Sequence, residues 1–519
     1  MSSPAIESAP ERQSWLVGGM AVALGIAAAK LVLHLLFASR YGFFGDELYH
    51  LACGEHLDWG YVDQPPMIAL IAWIVRHTLG ESLLAARLLP AVAGAALVLL
   101  AGWIARELGG GRFAVALSAL ATACISVLMV MHYLFTMNAF EPLFWMGCAA
   151  VVIRIIQTGN QKLWLWFGLL AGLGLENKYS MGVFGFAVVV GLLLTPERKA
   201  LAKPWIWLGG ALAFLIFLPN LIWNIRHDWP FFELMRNIRE SGRDVALGPV
   251  EYMARQIFLI GPVQFPIWVI GAAYLLFAKK AKPFRALGWA FVVTLAVLIL
   301  AKGKDYYAAP TFPLALAAGA VAIEGFTAER WRWLRTALIA LLVVTTLIFL
   351  PIGLPVLTVD HLLAYLDALP FAVPVSEHGH AAARLPHHYA WQFGWEEMVA
   401  ATARVYQSLP PEERERCAIF GNNFAEAGAI DLLGPQHGLP KAVGGHQSYW
   451  FWGPRQYTGE CVIVLGDRLE DSARWFEKCE IAVELNNPYA RPQENRPVLL
   501  CRKMKYDLRE VWPQVKSWD

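Results

Sequence analysis

Eleven runs of apolar residues, separated by short polar loops, restrict this chain to a helical fold inside a membrane. About 20 mainly apolar residues cross a bilayer as a helix, and a helix satisfies its own backbone hydrogen bonds in lipid. Charged residues make up 16% of the chain, compared with roughly 25% in soluble domains. We therefore predict a polytopic α-helical membrane protein with about 11 transmembrane helices. The candidate spans are residues 15–38, 84–105, 113–131, 142–157, 163–176, 181–194, 204–223, 257–278, 286–301, 311–324 and 335–357.

Basic residues collect in alternate loops and predict the orientation of the spans. Lys and Arg are enriched in cytoplasmic loops, so these loops and the N-terminus are expected inside the cell. An odd number of spans then places the C-terminal region outside, with outer loops at 39–83, 132–141, 224–256 and 302–310. The expected location is the plasma (inner) membrane. The basic residues of the predicted inner loops are Arg106, Arg112, Arg154, Lys162, Arg198, Lys199, Lys203, Lys279, Lys280, Lys282, Arg285, Arg330, Arg332 and Arg335.

The chain changes character near residue 357, which predicts a transmembrane domain at 1–357 and a soluble extracytoplasmic domain at 358–519. The second region alternates short apolar runs, which predict strands, with helical patterns at 395–408 and 468–478. A small C-terminal α/β domain is therefore expected. An oxidising exterior favours disulfides, but three complete pairings of its cysteines, or free thiols, stay open. These cysteines are Cys417, Cys461, Cys479 and Cys501.

An adjacent acid pair, Asp46-Glu47, follows the first apolar run directly. A carboxylate at that depth costs free energy unless it is paired, bound to a ligand or hydrated. The loop continues with aromatic and polar residues, as expected of a site that holds an amphipathic substrate. Two other interpretations are open. One is a hydrated loop pair without function, and the other is a zinc site with His50 and His56, although the spacing does not match a His-Glu-x-x-His helix.

Cations follow in later loops of the predicted outer face. They include Lys178 at a helix end and Lys302 and Lys304 in the loop at 302–310. A phosphate leaving group needs positive charge, and a hydroxyl or amine acceptor needs a base. Acids early in the chain and cations later therefore favour a site that activates an acceptor and binds a phosphate. Lys178 could instead extend to the membrane surface or pair with Glu176.

The segments around these residues resemble a known family. The Asp-Glu pair with Tyr49, followed by Asp-Trp-Gly-Tyr-Val-Asp-Gln-Pro-Pro at 58–66, resembles the bacterial branch of the protein O-mannosyltransferase superfamily, which includes the aminoarabinose transferase of lipid A. These enzymes are glycosyltransferases of the GT-C fold. Three later segments resemble further motifs of that branch in the same order: Gly-Leu-Glu-Asn-Lys-Tyr-Ser at 174–180, Trp-Asn-Ile-Arg-His-Asp-Trp at 223–229, and Lys-Asp-Tyr-Tyr-Ala-Ala-Pro-Thr-Phe-Pro at 304–313.

The resemblance implies an inverting transfer of a sugar from a polyprenyl-phosphate donor to an extracytoplasmic lipid, glycan or protein. Asp46 would accept the proton of the incoming nucleophile or orient it, and Glu47 would support Asp46 or help to position the donor. The phosphate of the donor would be bound by Lys178, Lys302 and Lys304. The expected substrate-binding residues are Tyr49, His50, Tyr61, Asp63, Gln64, Glu141, Lys178, Tyr179, Lys302, Lys304, Tyr306 and Tyr307.

Two positions depart from the family pattern. Relatives often carry Lys or His before the Pro-Pro pair, where this chain has Gln64. The second outer acid of the family is usually Asp, whereas the nearest matches here are Asn138 and Glu141, of which we favour Glu141. A divalent metal ion that bridges the donor phosphate would use Asp46 and Glu141, and no other cofactor is expected.

Two other functions stay open from the sequence. A transporter or flippase of a lipid-linked sugar would carry charges at the middle of the bilayer and show internal repeats, and neither pattern stands out. A non-catalytic membrane scaffold would bind partners through its outer domain. The expected partners are the lipid-linked sugar, the acceptor and membrane lipids. A net charge of +2 gives no reason to expect nucleic acid.

Overall fold

Long apolar helices build most of the structure. In the computed structural model, residues 9–241, 247–371, 373 and 383–518 are described. They divide into two units, and neither is continuous in sequence. The first unit contains residues 1–37, 87–219 and 245–354, and the second contains residues 38–86, 220–244 and 355–519. The domain boundary at 357 stays a prediction. The first predicted outer loop, 39–83, belongs to the second unit together with the C-terminal residues. Part of the third predicted outer loop, 224–256, belongs to the second unit as well.

The helices of the first unit follow the apolar runs of the sequence. Proline or glycine begins or ends several of them, as expected from the backbone restrictions of these residues. They are Ala9–Phe37, Leu83–Glu107, Arg112–Ala123, Ser126–Met131, Glu141–Thr158, Trp164–Asn177, Met181–Leu193, Pro204–Arg226, Pro249–Ile260, Gln264–Phe277, Arg285–Leu300, Phe312–Phe326 and Trp333–Gly353. Short 3-10 turns lie at Met137–Ala139, Gln161–Leu163, Pro196–Ala202, Lys282–Phe284 and Asp305–Thr311.

The predicted polytopic helical class is confirmed, but the count of eleven spans is not. Within the described residues, 7 helices are long and apolar enough to cross a membrane, or up to 9 if each of two bent helix pairs is one span. The run predicted at 113–131 is broken between Ala123 and Ser126, so neither piece is long enough to span. The run predicted to begin at 257 starts earlier, at Pro249, and bends by 116° before Gln264. Hydropathy alone does not show such breaks, because apolar residues continue through them.

Small residues allow close helix contacts in the first unit. A Cβ added at Gly271 would lie 1.8 Å from the carbonyl oxygen of Ala315, and one added at Gly319 would lie 2.0 Å from that of Ile267. The helices Gln264–Phe277 and Phe312–Phe326 therefore meet backbone to backbone. Close approach of this kind is the usual way for helices to pack in lipid, where apolar side chains gain little from leaving the bilayer.

The second unit contains a four-stranded sheet with short helices around it. The strands are β1 (Cys417–Gly421), β2 (Cys461–Leu465), β3 (Phe476–Val483) and β4 (Val498–Met504), in the order β1-β2-β4-β3. β1 and β2 are parallel, and the other two pairs are antiparallel. The helices are Gly45–Cys53, Met67–Thr78, Pro230–Glu240, Val359–Ala368, His387–Ala390, Trp395–Ser408, Pro411–Arg416, Phe424–Leu433, Tyr449–Trp452, Leu469–Ser472 and Leu508–Val511, with 3-10 turns at Pro435–His437, Pro492–Asn495 and Trp512–Val515.

The predicted α/β character of the C-terminal region is confirmed, with one local correction. The helical pattern at 468–478 is wrong in its second half, because the helix ends at Ser472 and β3 begins at Phe476. β3 is an edge strand whose residues are mostly exposed. It therefore lacks the apolar pattern by which a buried strand is recognised.

The sheet decides the cysteine pairing that the sequence left open. Cys417 is bonded to Cys461, and Cys479 is bonded to Cys501. Each pair occupies directly opposed positions on neighbouring strands, β1 with β2 and β3 with β4. All seven cysteines of the chain lie in the described residues, and Cys53, Cys124 and Cys148 are buried free thiols.

Removal of the first disulfide should destabilise the second unit. We expect the double change Cys417→Ala/Cys461→Ala to lower the free energy of unfolding by about 2–4 kcal/mol, because the cross-link restricts the unfolded chain. Thermal unfolding of the purified full-length protein measures the effect, and Cys148→Ala in the first unit is the control for loss of a buried sulfur. Peptide mapping without reductant should recover the two linked pairs, and any other linkage would contradict the assignment.

Candidate active site

The acid pair of the first outer loop lies in the first turn of the Gly45–Cys53 helix. Phe44 precedes this helix, and its backbone N–H donates a hydrogen bond of 2.8 Å to Glu47 Oε2. Negative charge is favourable at a helix N-terminus. Glu47 is fully buried, whereas Asp46 is partly exposed. The two neighbours therefore differ in role: Glu47 caps the helix, and Asp46 is the acid that a substrate can contact.

A second carboxylate, Asp63, is held next to the same helix by hydrogen bonds. The hydroxyl oxygen of Tyr49 lies 2.9 Å from Asp63 Oδ1 and 2.8 Å from Ser448 Oγ. Burial raises the pKa of Asp63, the charge of Asp46 adds to this rise, and His50 and the Tyr49 hydroxyl oppose it. Asp46, His50 and Asp63 are thus within electrostatic reach of one another. Coupled carboxylates in one site are a common arrangement for proton transfer.

Tyr61 and Gln64 stabilise the turn that carries Asp63. The Tyr61 hydroxyl contacts the carbonyl oxygens of Cys53, at 3.2 Å, and His56, at 2.9 Å, and the Tyr61 backbone N–H donates to the carbonyl oxygen of Gln64. Both side chains are fully buried. These contacts support a structural role, and their predicted substrate contacts remain predictions.

Aromatic rings from distant parts of the chain pack around the helix. The Tyr49 ring lies 4.7 Å from the Phe424 ring, and the Phe44 ring lies 4.9 Å from the Trp391 ring. A Cβ at Gly45 would come within 2.3 Å of Trp391, so only glycine fits there. Sequence analysis missed Ser448, Phe424 and Trp391 as neighbours of the site, because no local pattern links them to a loop several hundred residues earlier.

A separate polar cluster in the first unit surrounds Lys178. Its ammonium group lies 2.9 Å from Glu141 Oε2, 2.7 Å from Asn138 Oδ1 and 4.2 Å from the centre of the Tyr307 ring. Ser180 donates a second hydrogen bond to Glu141. The Glu141 side chain is 2% exposed and that of Lys178 is 12% exposed. Glu141 therefore compensates the charge of Lys178, which reduces what Lys178 can offer to a phosphate.

Of the other predicted residues of the later loops, Tyr306 lies next to this cluster, with its ring centre 5.9 Å from the Lys178 ammonium group. The Lys304 ammonium group is 5.9 Å from the centre of the Tyr306 ring, and the Tyr179 ring packs edge-on against Phe217 at 6.2 Å. Lys302 is exposed, in a left-handed backbone conformation with φ 53°. The predicted site residues thus form two groups, one in each unit. The first-loop residues belong to the second unit, and Glu141 and the later-loop residues belong to the first.

The predicted metal ligands Asp46 and Glu141 belong to different units. Among the described residues, no group of three or more His, Cys, Asp and Glu side chains is arranged to hold a metal ion. Both carboxylate oxygens of Glu141 already accept hydrogen bonds, from Lys178 and Ser180. His50, His56 and Asp46 likewise do not form the three-ligand zinc group considered from the sequence. The divalent metal ion that Asp46 and Glu141 would hold therefore stays a prediction.

Parts of the chain are similar in sequence to known proteins. The family described as dolichyl-phosphate-mannose-protein mannosyltransferase matches residues 63–223. The lipid A galacturonosyltransferase RgtD of Rhizobium johnstonii is 27% identical over 267 residues, which are 49% of this chain and 54% of RgtD. The chain thus spans about half the length of this curated relative.

Solved structures show the same fold over nearly the whole chain. ArnT from Cupriavidus metallidurans matches with a TM-score of 0.59 in its apo state and 0.58 when bound to undecaprenyl phosphate, each at 14% identity. Each match covers 94% of this chain and 98% of ArnT. The chain therefore has the fold of a polytopic GT-C membrane protein with a C-terminal sheet domain. Its sequence motifs and its fold are thus both similar to those of bacterial GT-C proteins.

The ion pair of Lys178 generates a test of its role. Lys178→Met leaves the buried Glu141 carboxylate without its cation, and we expect a loss of about 3 kcal/mol in the free energy of unfolding. The double change Lys178→Met/Glu141→Gln should recover most of that loss, because it removes both charges. Thermal unfolding of the three proteins in the same detergent measures the effect. An unchanged melting temperature together with a raised KM for the sugar donor would show that Lys178 binds phosphate instead.

Proposed function

We propose that this protein is a membrane glycosyltransferase that moves a sugar from a polyprenyl-phosphate donor to an extracytoplasmic acceptor. The observation that carries the proposal is the group of Asp46, His50 and Asp63 on and beside the Gly45–Cys53 helix, in a chain with the ArnT fold. The helix begins shortly after the first apolar helix ends at Phe37. Asp46 therefore lies close in sequence to the membrane surface, where a lipid carrier presents its sugar.

Asp46 supplies the base in this proposal. Its carboxylate accepts the proton of an acceptor hydroxyl as the acceptor oxygen forms a bond to the anomeric carbon of the sugar. The bond between that carbon and the phosphate oxygen breaks, and the electron pair leaves with the polyprenyl phosphate. A positioned general base of this kind accelerates a reaction by about 10²–10⁴-fold. Attack from the face opposite the phosphate inverts the anomeric configuration, as the family resemblance implies.

Positive charge must stabilise the departing phosphate. Lys302 is a better candidate than Lys178 for this role, since Glu141 compensates Lys178. Lys302 is exposed and Lys304 is partly exposed in the turn before Phe312. Undecaprenyl phosphate bound to ArnT supports a polyprenyl donor for a protein of this fold.

A lipid is the acceptor class that we favour. RgtD, a lipid A galacturonosyltransferase by name, is similar to this chain in sequence. The exposed face of the Met67–Thr78 helix, with Leu70, Trp73 and Ile74, suits the boundary between headgroups and acyl chains. This helix follows Asp63 directly in the chain, so an acceptor anchored in the same leaflet would be near the acids.

Two independent features support the orientation in this proposal. The basic loops predict a cytoplasmic N-terminus and an extracytoplasmic C-terminal domain. Disulfides such as Cys417–Cys461 and Cys479–Cys501 form in oxidising compartments and are rare in the cytosol. Both features support a sheet domain, and a sugar transfer, on the outer side of the inner membrane.

Replacement of Asp46 tests the proposal directly. We expect Asp46→Asn to lower kcat at least about 100-fold, because the amide cannot accept the proton. The assay uses purified protein in nanodiscs with undecaprenyl-phosphate galacturonic acid and a lipid A acceptor, and mass spectrometry detects the glycosylated lipid. The matched control is Glu47→Gln, whose amide oxygen can still accept the hydrogen bond from Phe44 and should therefore retain most of the activity.

The same assay separates the alternatives. Asp46→Asn protein that folds normally and transfers sugar at the wild-type rate would exclude Asp46 as the base. Movement of the lipid-linked sugar across the membrane without a new glycosidic bond would identify a transporter. Wild-type transfer to a glycan or a peptide, but not to lipid A, would correct the acceptor class and leave the reaction type intact.

A further inference from the structure

The hydroxyl of Ser448 connects the C-terminal region to the acidic first loop. Ser448 is 1% exposed, and its Oγ lies 2.8 Å from the Tyr49 hydroxyl oxygen, although the two residues are 399 positions apart. The backbone N–H of Val62 donates to the same Oγ at 3.2 Å. The backbone N–H of Ser448 also points to the Tyr49 hydroxyl oxygen, at 3.3 Å. All of these residues belong to the second unit.

Counting protons gives these hydrogen bonds a direction. The Asp63 carboxylate can only accept, so the single hydroxyl proton of Tyr49 is donated to Asp63. The Tyr49 oxygen then accepts from Ser448 Oγ and the Ser448 backbone, while Ser448 Oγ accepts from Val62. The chain runs from Val62 through Ser448 and Tyr49 to Asp63. Linked hydrogen bonds that run in one direction strengthen each other.

Asp63 is consequently fixed at two points by one serine. Through Tyr49, Ser448 holds the carboxylate of Asp63. Through the adjacent Val62, it also holds the backbone of Asp63. Asp63 interacts electrostatically with Asp46, His50 and Cys53. A displacement of Asp63 would change the electrostatic potential at Asp46. The interaction energy of two charges at close range is large where water is partly excluded.

The segment that carries Ser448 is itself anchored firmly. The next residue, Tyr449, donates from its hydroxyl to Asp431 Oδ2 at 2.9 Å. Trp450 and Trp512 each donate an indole N–H to the backbone carbonyl of the other, at 3.1 Å and 2.9 Å. A buried hydroxyl on a segment held in this way is well suited to orient other groups, because it cannot follow them if they move.

We infer that Ser448 is a positioning residue for the sugar transfer, acting through Tyr49 and Val62 to hold the Asp63 carboxylate in the electrostatic surroundings of Asp46. This inference rests on the proposed function. It makes the C-terminal region part of the catalytic unit, since Ser448 lies almost 400 residues after Asp63, whose carboxylate it helps to hold. Ser448 does not contact the reacting atoms in this scheme.

A double-mutant cycle in the full-length protein tests the inference. Ser448→Ala should lower kcat by about five- to tenfold, which corresponds to the net free energy of one hydrogen bond. The KM of the donor should change little. Tyr49→Phe should have a similar effect because it removes the donor to Asp63. The double variant should be only slightly slower than the slower single variant, since the two residues act in one chain. The assay is the nanodisc assay with undecaprenyl-phosphate galacturonic acid and lipid A.

Two controls separate positioning from loss of folding. Ser408→Ala removes a hydroxyl that donates to the Val405 carbonyl at the end of another helix, and Tyr489→Phe removes a comparable tyrosine–aspartate bond to Asp360, which is not part of the Ser448 segment. Both should affect the melting temperature at most, and leave kcat unchanged. If Ser448→Ala does not fold, Ser448→Cys keeps nearly the same volume with a weak hydrogen-bonding group and should show the same loss of kcat.

The outcomes distinguish this inference from the function on which it rests. Wild-type protein without transfer activity overturns both. An active wild type with an equally active Ser448→Ala variant overturns the positioning role alone. Losses of kcat that multiply in the double variant overturn the connection through Tyr49, because independent effects add in free energy.

Discussion

The candidate site depends on the compensation of charge that is removed from water. An isolated buried carboxylate is expensive, and three of the predicted site acids have polar partners in the described structure. Glu47 accepts a hydrogen bond from the backbone of Phe44, Asp63 accepts one from Tyr49, and Glu141 is paired with Lys178. Asp46 and Asp63 are partly exposed, whereas Glu47 and Glu141 are buried. A charge that substrate can reach and that neighbouring charges tune is what a base requires.

This compensation also separates residues that support the fold from residues that act on substrate. Lys178 and Glu141 neutralise each other, and Ser180 and Asn138 complete their hydrogen bonds. Lys302, in contrast, is exposed. Residue type alone made Lys178 and Lys302 equivalent candidates for phosphate binding. The contacts around each lysine distinguish them.

Local sequence was sufficient where a property is local. Asp46 could be located because an acid pair after an apolar run is unusual and because the following residues match a family motif. The strand Cys461–Leu465 was recognisable from its apolar run, whereas β3 was not, since it is exposed at the edge of the sheet. The break after Ala123 and the bend before Gln264 were also missed, because they interrupt helices without interrupting the apolar pattern.

The sequence by itself determined the membrane class of this protein, its C-terminal α/β region, its resemblance to a glycosyltransferase superfamily and the acid pair that follows its first apolar run. Each of these depends on composition, periodicity or a short motif. Only the tertiary structure decided the pairing of the four C-terminal cysteines, the capping role of Glu47, the ion pair of Lys178 and the connection of Ser448 to Asp63. The physical reason is that a bond or a hydrogen bond depends on the distance between two atoms, and residues such as Tyr49 and Ser448 become neighbours only when the chain has folded.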